Sequence, residues 1–280
     1  MKRTVLLLSA LLLAACNQNA PAPADATAPA TTPAANTPSA DAQAAAASAA
    51  AAEGAQPADA AATPAVDAAA AAAVDSITQA SNSGQALVAG TDYEVIQGGQ
   101  PYLPLNGKIE VVEVFGYVCP ACAQFEPLAT AWEQKLPADV RFSYVPAPFG
   151  PQWIPYAKAF YVAESMGLVD KTHTALFKAI HIDQTLPGEG KTPDEAAVAA
   201  FYGKYGADPK QFLAAMHSFT TDAKVKRGQQ FMVRSGVGGT PTIVVDGKYR
   251  VLGKSYPDML RITNQLIAQE RAAQGTAAQQ

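Results

Sequence analysis

Apolar and polar positions change rhythm several times along the chain, and each change predicts an element. Ile109-Glu110-Val111-Val112-Glu113-Val114-Phe115 is a β-branched run bounded by Gly116, the pattern of a central strand. From Cys119 the apolar positions fall at helical spacing, with Leu128, Ala131, Trp132 and Leu136 on one side, which predicts a helix to about Leu136. Pro127 sits inside that pattern and is expected to kink it. Val140 to Val145 reads as a second strand, so strand, helix and strand suggest a parallel βαβ unit. From about Pro155 to Thr221 the pattern is helical and Ala-rich. Phe160, Val162, Ala163 and Met166 mark one segment, and His173, Leu176, Phe177 and Ile180 another. Glu195 to Tyr205 and Pro209 to Ser218 give two more, and Asp222 to Gly236 a further helix. Strand character returns at Thr242-Ile243-Val244-Val245. Asp246-Gly247 then supplies a hairpin turn into Tyr249 to Leu252, and a last helix runs from about Tyr256 to Ala272. A βαβ half and an αββα half therefore flank a helical block.

The N-terminal third has a different texture. Lys2-Arg3 precede the short apolar run Val5 to Ala15, the form of an export signal and too short to span a bilayer. The run ends in Leu13-Ala14-Ala15-Cys16, which resembles the lipobox of bacterial lipoproteins. The resemblance implies cleavage after residue 15 and acylation of Cys16; the alternative is an ordinary secretory signal with an incidental cysteine. Asn17 rather than Asp follows, which favours the outer membrane over the inner. From residue 16 to about 80 the chain is nearly all Ala, Pro, Thr, Ser, Gln and Asp, with no aromatic residue before Tyr93. Such a stretch buries too little apolar surface to order itself, so it is expected to be a disordered tether. A flexible chain of that length would reach about 45 Å.

Charge sharpens this division. The chain has 20 Lys and Arg against 24 Asp and Glu, but six of the acids precede Ala86, and no basic residue occurs from Thr4 to Gly107. The remainder holds 18 residues of each sign. A neutral body with mixed charges argues against a nucleic-acid partner.

Only three cysteines are present, too few for a disulfide-held scaffold: Cys16, Cys119 and Cys122. Cys119-Pro120-Ala121-Cys122 can ligate a metal, form a structural disulfide or exchange thiols. A metal site usually needs two further ligands. No other cysteine is available in the body, and His173, His181 and His217 lie in helical patterns far along the chain. A disulfide closing so small a loop would constrain the unfolded chain little. Thiol exchange fits best. Cys119 lies where a strand ends and a helix begins, and free N–H groups and the helix dipole there favour a thiolate. Cys122, one turn in, is the resolving thiol, and Pro120 suits the first helical turn. No cofactor and no metal are expected.

At this point the chain resembles a known family. Val111 to Pro127 is similar to the active-site segment of DsbA-type thiol–disulfide oxidoreductases. Gly238-Gly239-Thr240-Pro241-Thr242 resembles the loop that carries the cis-proline of thioredoxin-fold proteins. The resemblance covers about residues 86 to 273 and is closest to lipid-anchored members from Gram-negative bacteria. It implies an α/β thioredoxin-like fold (86–150 and 222–273) with an inserted α-helical domain (151–221). Pro241 would face the cysteines, and with Thr240 would present backbone groups to a substrate strand; the plain alternative is a trans turn. Glu113 would be a buried acid that takes the proton from Cys122; the alternative is a strand-edge glutamate pointing at water.

The implied activity is disulfide introduction into reduced, unfolded exported proteins, with reoxidation by a membrane quinone-linked thiol oxidase of the DsbB kind. A monomer in the periplasm, anchored by lipid, is expected. Isomerase or reductase activity is the nearest rival, and a copper-binding module using the same cysteines comes from a different class. One departure stands out: these oxidases usually carry His where this chain has Ala121. The missing donor predicts a higher Cys119 pKa and a less oxidising couple than in His-containing relatives. Trp132 and Trp153 read as packing residues, while Phe149, Trp153 and Tyr156 are placed at the border of a substrate groove.

Overall fold

The computed structural model describes residues 68–277. The expected signal segment, the lipidation residue Cys16 and the tether up to residue 67 lie outside the described residues. Thirteen elements follow one another among them: α1 (Ala68–Ser81), β1 (Tyr93–Val95), β2 (Ile109–Phe115), α2 (Pro120–Glu133), β3 (Val140–Pro146), α3 (Ile154–Ser165), α4 (Val169–His181), α5 (Glu195–Gly203), α6 (Pro209–Met216), α7 (Phe219–Arg234), β4 (Thr242–Val245), β5 (Tyr249–Val251) and α8 (Tyr256–Ala277). The strands form one sheet in the order β1-β5-β4-β2-β3. β2 and β3 run parallel, with Ile109 opposite Val140 and Phe115 opposite Pro146. β4 pairs antiparallel with β2, placing Ile243 opposite Glu113.

The β-branched run of β2 forms a strand with all seven residues buried, because helices cover both of its faces. Successive side chains alternate between those faces. Ile109 and Val111 pack with Val74, Phe125, Trp132, Leu260 and Leu266 from α1, α2 and α8. Val112 and Val114 pack on the opposite side with Val145, Val244 and, from α7, Phe231 and Met232. The block α3–α6 builds a third core around Phe160, Leu176, Phe177, Tyr202 and Phe212, which runs on into Phe115, Tyr117, Val118 and both cysteines. The helical block therefore buries the dithiol from one side.

Asp246 and Gly247 both take positive φ, 51° and 64°, as a tight hairpin turn requires. The turn also closes onto β2: the Asp246 N–H donates to the Glu110 carbonyl at 2.8 Å, and the Glu110 N–H donates to Asp246 Oδ1 at 2.6 Å. Pro127 lies inside α2, and the helix continues past it to Glu133.

Two expectations need correction. The stretch 68–80 was expected to be disordered, but it forms α1, with Ala70, Val74 and Ile77 buried. Alanine is the best intrinsic helix former, and a helix this short is held by packing rather than by propensity alone. Val74 and Ile77 supply that packing, and Lys135 pairs with Asp75 at 2.6 Å. The packed body thus begins by residue 68, ahead of the expected boundary at 86. α7 begins at Phe219, two residues before the expected end of the helical insertion at 221, and its later turns pack against the sheet.

Candidate active site

β2 delivers the chain to the site. At Gly116 the Trp153 ring lies so close that a Cβ would come within 2.0 Å of it, so any side chain there would have to displace that ring. The Cys119 N–H closes a turn on the Gly116 carbonyl at 3.0 Å, and α2 starts at Pro120 with Cys119 as its N-cap. The Cys119 side chain occupies the place that Ser or Asp commonly fills at a helix start. Its sulfur accepts from the Cys122 N–H at 3.4 Å and lies 3.5 Å from the Thr240 carbonyl oxygen. Both thiols are free, Cys119 is 8% exposed and Cys122 1%. The Thr240–Pro241 peptide is cis, and both residues remain partly exposed beside Cys119.

The two thiols have opposite electrostatics. Hydrogen bonding to the Cys122 thiol lowers the Cys119 pKa to about 5, aided by Thr240 and the backbone N–H groups of Cys122 and Ala121, against the opposing effect of burial. Burial pushes the Cys122 thiol far up, and its hydrogen bond to Cys119 and the nearby Glu113 push the same way. One sulfur is therefore a thiolate at neutral pH and its neighbour a thiol.

Glu113 is 2% exposed on the α2 side of β2. Burial raises its pKa well above the usual carboxylate value, and the negative charges of Glu126, Glu133 and Cys119 add to the shift. Its Oε2 has no hydrogen-bond partner among the described residues. Chain folding therefore brings Cys119, Cys122, Glu113, Thr240 and Pro241 together. Pro120 and Ala121 form the first turn of α2, and Cys16 lies outside the described residues.

The sequence reading missed three neighbours. Glu126, also buried, accepts from Thr130 at 3.0 Å and Thr174 at 2.8 Å and lies 3.3 Å from His173 Nε2. Burial raises its pKa, but His173 and the two threonine hydroxyls outweigh that and leave it lowered. A signal was present: Glu126 follows Cys122 by four residues, on the same helical stripe as the buried positions of α2. Tyr117, two residues before Cys119, gathers two distant histidines. Its hydroxyl meets His173 Nδ1 at 2.8 Å, and its carbonyl accepts from His181 Nε2 at 2.7 Å. Tyr256, the first residue of α8, donates its hydroxyl to the Ala121 carbonyl at 3.0 Å. Neither His173 nor Tyr256 carries a local signal.

Tyr156, placed above at the border of a groove, is instead a core residue at 1% exposure, with its hydroxyl on the Pro187 carbonyl at 2.7 Å. Phe149 is exposed and stacks edge-on against Trp153. Trp132 is buried and donates to Asn264 at 2.8 Å.

Residues 110–263 match the DSBA-like thioredoxin domain. A thiol:disulfide interchange protein DsbA from Azotobacter vinelandii is 43% identical over 174 residues, which cover 60% of this chain and 78% of that protein. A protein of the same name from Pseudomonas aeruginosa is 38% identical over 188 residues, covering 66% of this chain and 86% of its own. Among solved structures, the oxidoreductase DsbA from Xylella fastidiosa superposes with a TM-score of 0.65 at 41% identity, over 67% of this chain and the whole of the other.

Proposed function

Since the chain belongs to the DsbA family of thiol:disulfide oxidoreductases, we propose that Cys119 is the sulfur its clients attack and later displace. The observation that carries this assignment is the asymmetry of the pair: a low Cys119 pKa beside a high Cys122 pKa, one helical turn apart. In the oxidised enzyme a client thiolate attacks Cys119 Sγ, the Cys119–Cys122 bond breaks, and Cys122 leaves. A second client thiolate then attacks the client sulfur of the mixed disulfide and displaces Cys119. Two electrons pass to the enzyme, one disulfide forms in the client, and Cys119 departs as a stabilised thiolate.

Cys122 departs as a poor, high-pKa leaving group and needs a proton. Glu113, protonated at neutral pH by its burial, is the donor in this reading and the acceptor in the reverse direction. The partly exposed Thr240-Pro241 segment beside Cys119 presents backbone to the client strand. Ala121 offers no side-chain donor, so the couple is less oxidising than that of His-containing relatives. In such a two-electron couple each tenfold change in equilibrium constant corresponds to about 30 mV.

The setting is the periplasm, and the clients are reduced exported proteins. The Lys2-Arg3 start, the apolar run and Cys16 support a lipid anchor, with the outer membrane favoured by Asn17. A quinone-linked membrane thiol oxidase restores the disulfide.

Replacing Cys122 with Ala removes the thiol that releases a client from Cys119 in the reverse direction. Expressed in cells, Cys122→Ala should accumulate covalent adducts with exported proteins that dissolve on reduction, and the Cys119→Ser form should accumulate none. Absence of adducts, together with no oxidation of a reduced dithiol peptide by the wild-type protein, would overturn the assignment. Tight stoichiometric Cu(I) binding under those conditions would point to the copper-module alternative.

A further inference from the structure

The Ala121–Cys122 peptide is engaged from both ends. On its carbonyl side, Ala121 O accepts from the Tyr256 hydroxyl at 3.0 Å. On its amide side, the Cys122 N–H donates to Cys119 Sγ at 3.4 Å. Tyr256, one planar amide and the reactive sulfur thus form a single hydrogen-bond chain. We infer that Tyr256 is a positioning residue for the dithiol: by polarising the Ala121–Cys122 amide, its hydroxyl strengthens the N–H that holds the Cys119 thiolate. This deepens the reading of Cys119 as the attacked and displaced sulfur, and rests on it.

The physical case has three parts. Charge drawn toward a carbonyl oxygen by a donor makes the N–H of the same peptide more positive, so bonds along such a chain reinforce one another. Tyr256 is held where it can do this, because its ring packs on the buried Phe125 at 5.2 Å and it begins α8. Gln124 Oε1 is a competing acceptor for the same hydroxyl but lies farther away, at 3.5 Å. The phenol also remains a donor at neutral pH, since burial and the negative charges of Cys119 and Cys122 raise its pKa.

The titratable groups facing Cys119 are Cys122 from its own helix, Glu113 from β2 and Tyr256 from α8. The fourth element in contact, the Thr240-Pro241 loop, contributes hydrogen bonding without a titratable group. With alanine at position 121, the motif lacks a side-chain donor of its own between the cysteines. Tyr256 supplies a donor from outside the motif.

The test is Tyr256→Phe, which keeps the ring on Phe125 and removes only the hydroxyl. Two quantities are read: the Cys119 pKa from the ultraviolet absorbance of its thiolate, and the equilibrium constant with glutathione. If polarisation strengthens a bond by roughly 10–30%, the Cys119 pKa rises by about 0.3 to 0.5 units. The equilibrium shifts about two- to threefold toward the disulfide, equivalent to about 9 to 15 mV. A second variant, 3-fluorotyrosine at position 256, is a stronger donor and should move both quantities the opposite way; it covers the case in which the phenylalanine form does not fold. Unchanged values in either folded variant, with a low Cys119 pKa in the wild type, overturn the Tyr256 inference alone. A wild-type Cys119 that titrates like an ordinary thiol overturns the underlying assignment of that sulfur.

Discussion

Glu110 and Glu113 are both buried in β2, at 0% and 2% exposure, yet their surroundings have nothing in common. Alternation along the strand turns them to opposite faces. Glu110 accepts from the backbone N–H groups of Tyr102 at 2.6 Å and Leu103 at 2.9 Å, and pairs with Arg141 at 2.7 Å. Its charge is compensated, and its work is to fasten the 102–103 segment and β3 to β2. Glu113 faces the dithiol side, has an oxygen without a partner among the described residues, and is pushed toward the protonated state. A buried acid by itself therefore signals little. What distinguishes a chemical role from an architectural one is whether the fold compensates the charge.

The largest effect expected of a substitution tests the architectural member. Glu110→Ala leaves the Arg141 guanidinium and two backbone N–H groups without their acceptor, which should cost about 3 kcal/mol of stability. A denaturant titration would measure it, and Cys119 should still titrate near 5. Loss of less than half that amount would mean that Glu110 is less important to the fold than its contacts indicate.

A change of opposite sign is expected at Glu113. Because its folded pKa is raised, the carboxyl carries no penalty at low pH and costs stability once the pH exceeds the unfolded value. Glu113→Gln should therefore stabilise the protein at pH 7, by an order of 2–4 °C in melting temperature for about 1 kcal/mol. The gain should vanish as the pH falls toward 4.5, and oxidation of a dithiol peptide should slow. A destabilised Glu113→Gln would erase the contrast between the two acids.

A dependence on pH rather than on substitution is expected from Cys119. Its folded pKa is depressed, so it contributes stability to the reduced protein that is fully present above the ordinary thiol value of about 8.5. That contribution is lost as the pH falls to about 5. The melting temperature of the reduced form, relative to the oxidised form, should decline over that window and level off below it.

Much of the scaffold was legible locally. The run Ile109 to Phe115, the Asp246-Gly247 turn and the strands around it obey rules that act within a few residues. The same holds for Cys119 at a helix start and Pro120 one position in, which is why the dithiol is legible in the sequence. α1 was missed because an alanine-rich segment looks the same whether it is solvated or packed, and only Val74 and Ile77 meeting α8 and α2 decide the matter. β1 was missed because three residues offer no period, and their strand exists through pairing with β5.

Among the site residues, the sequence by itself determined the chemistry: two cysteines one turn apart at a helix terminus, with a Thr-Pro segment late in the chain. Tertiary structure decided how each sulfur is tuned. Tyr256 lies 135 residues from Ala121, His173 56 from Tyr117 and Asp246 136 from Glu110, and each pair forms a direct hydrogen bond. Propensity and periodicity act over a turn or a strand, whereas burial and hydrogen-bond partners depend on which distant segments pack together. The reactive pair could be read from Cys119-Pro120-Ala121-Cys122, but the difference in acidity between its two sulfurs arises from the packed surroundings.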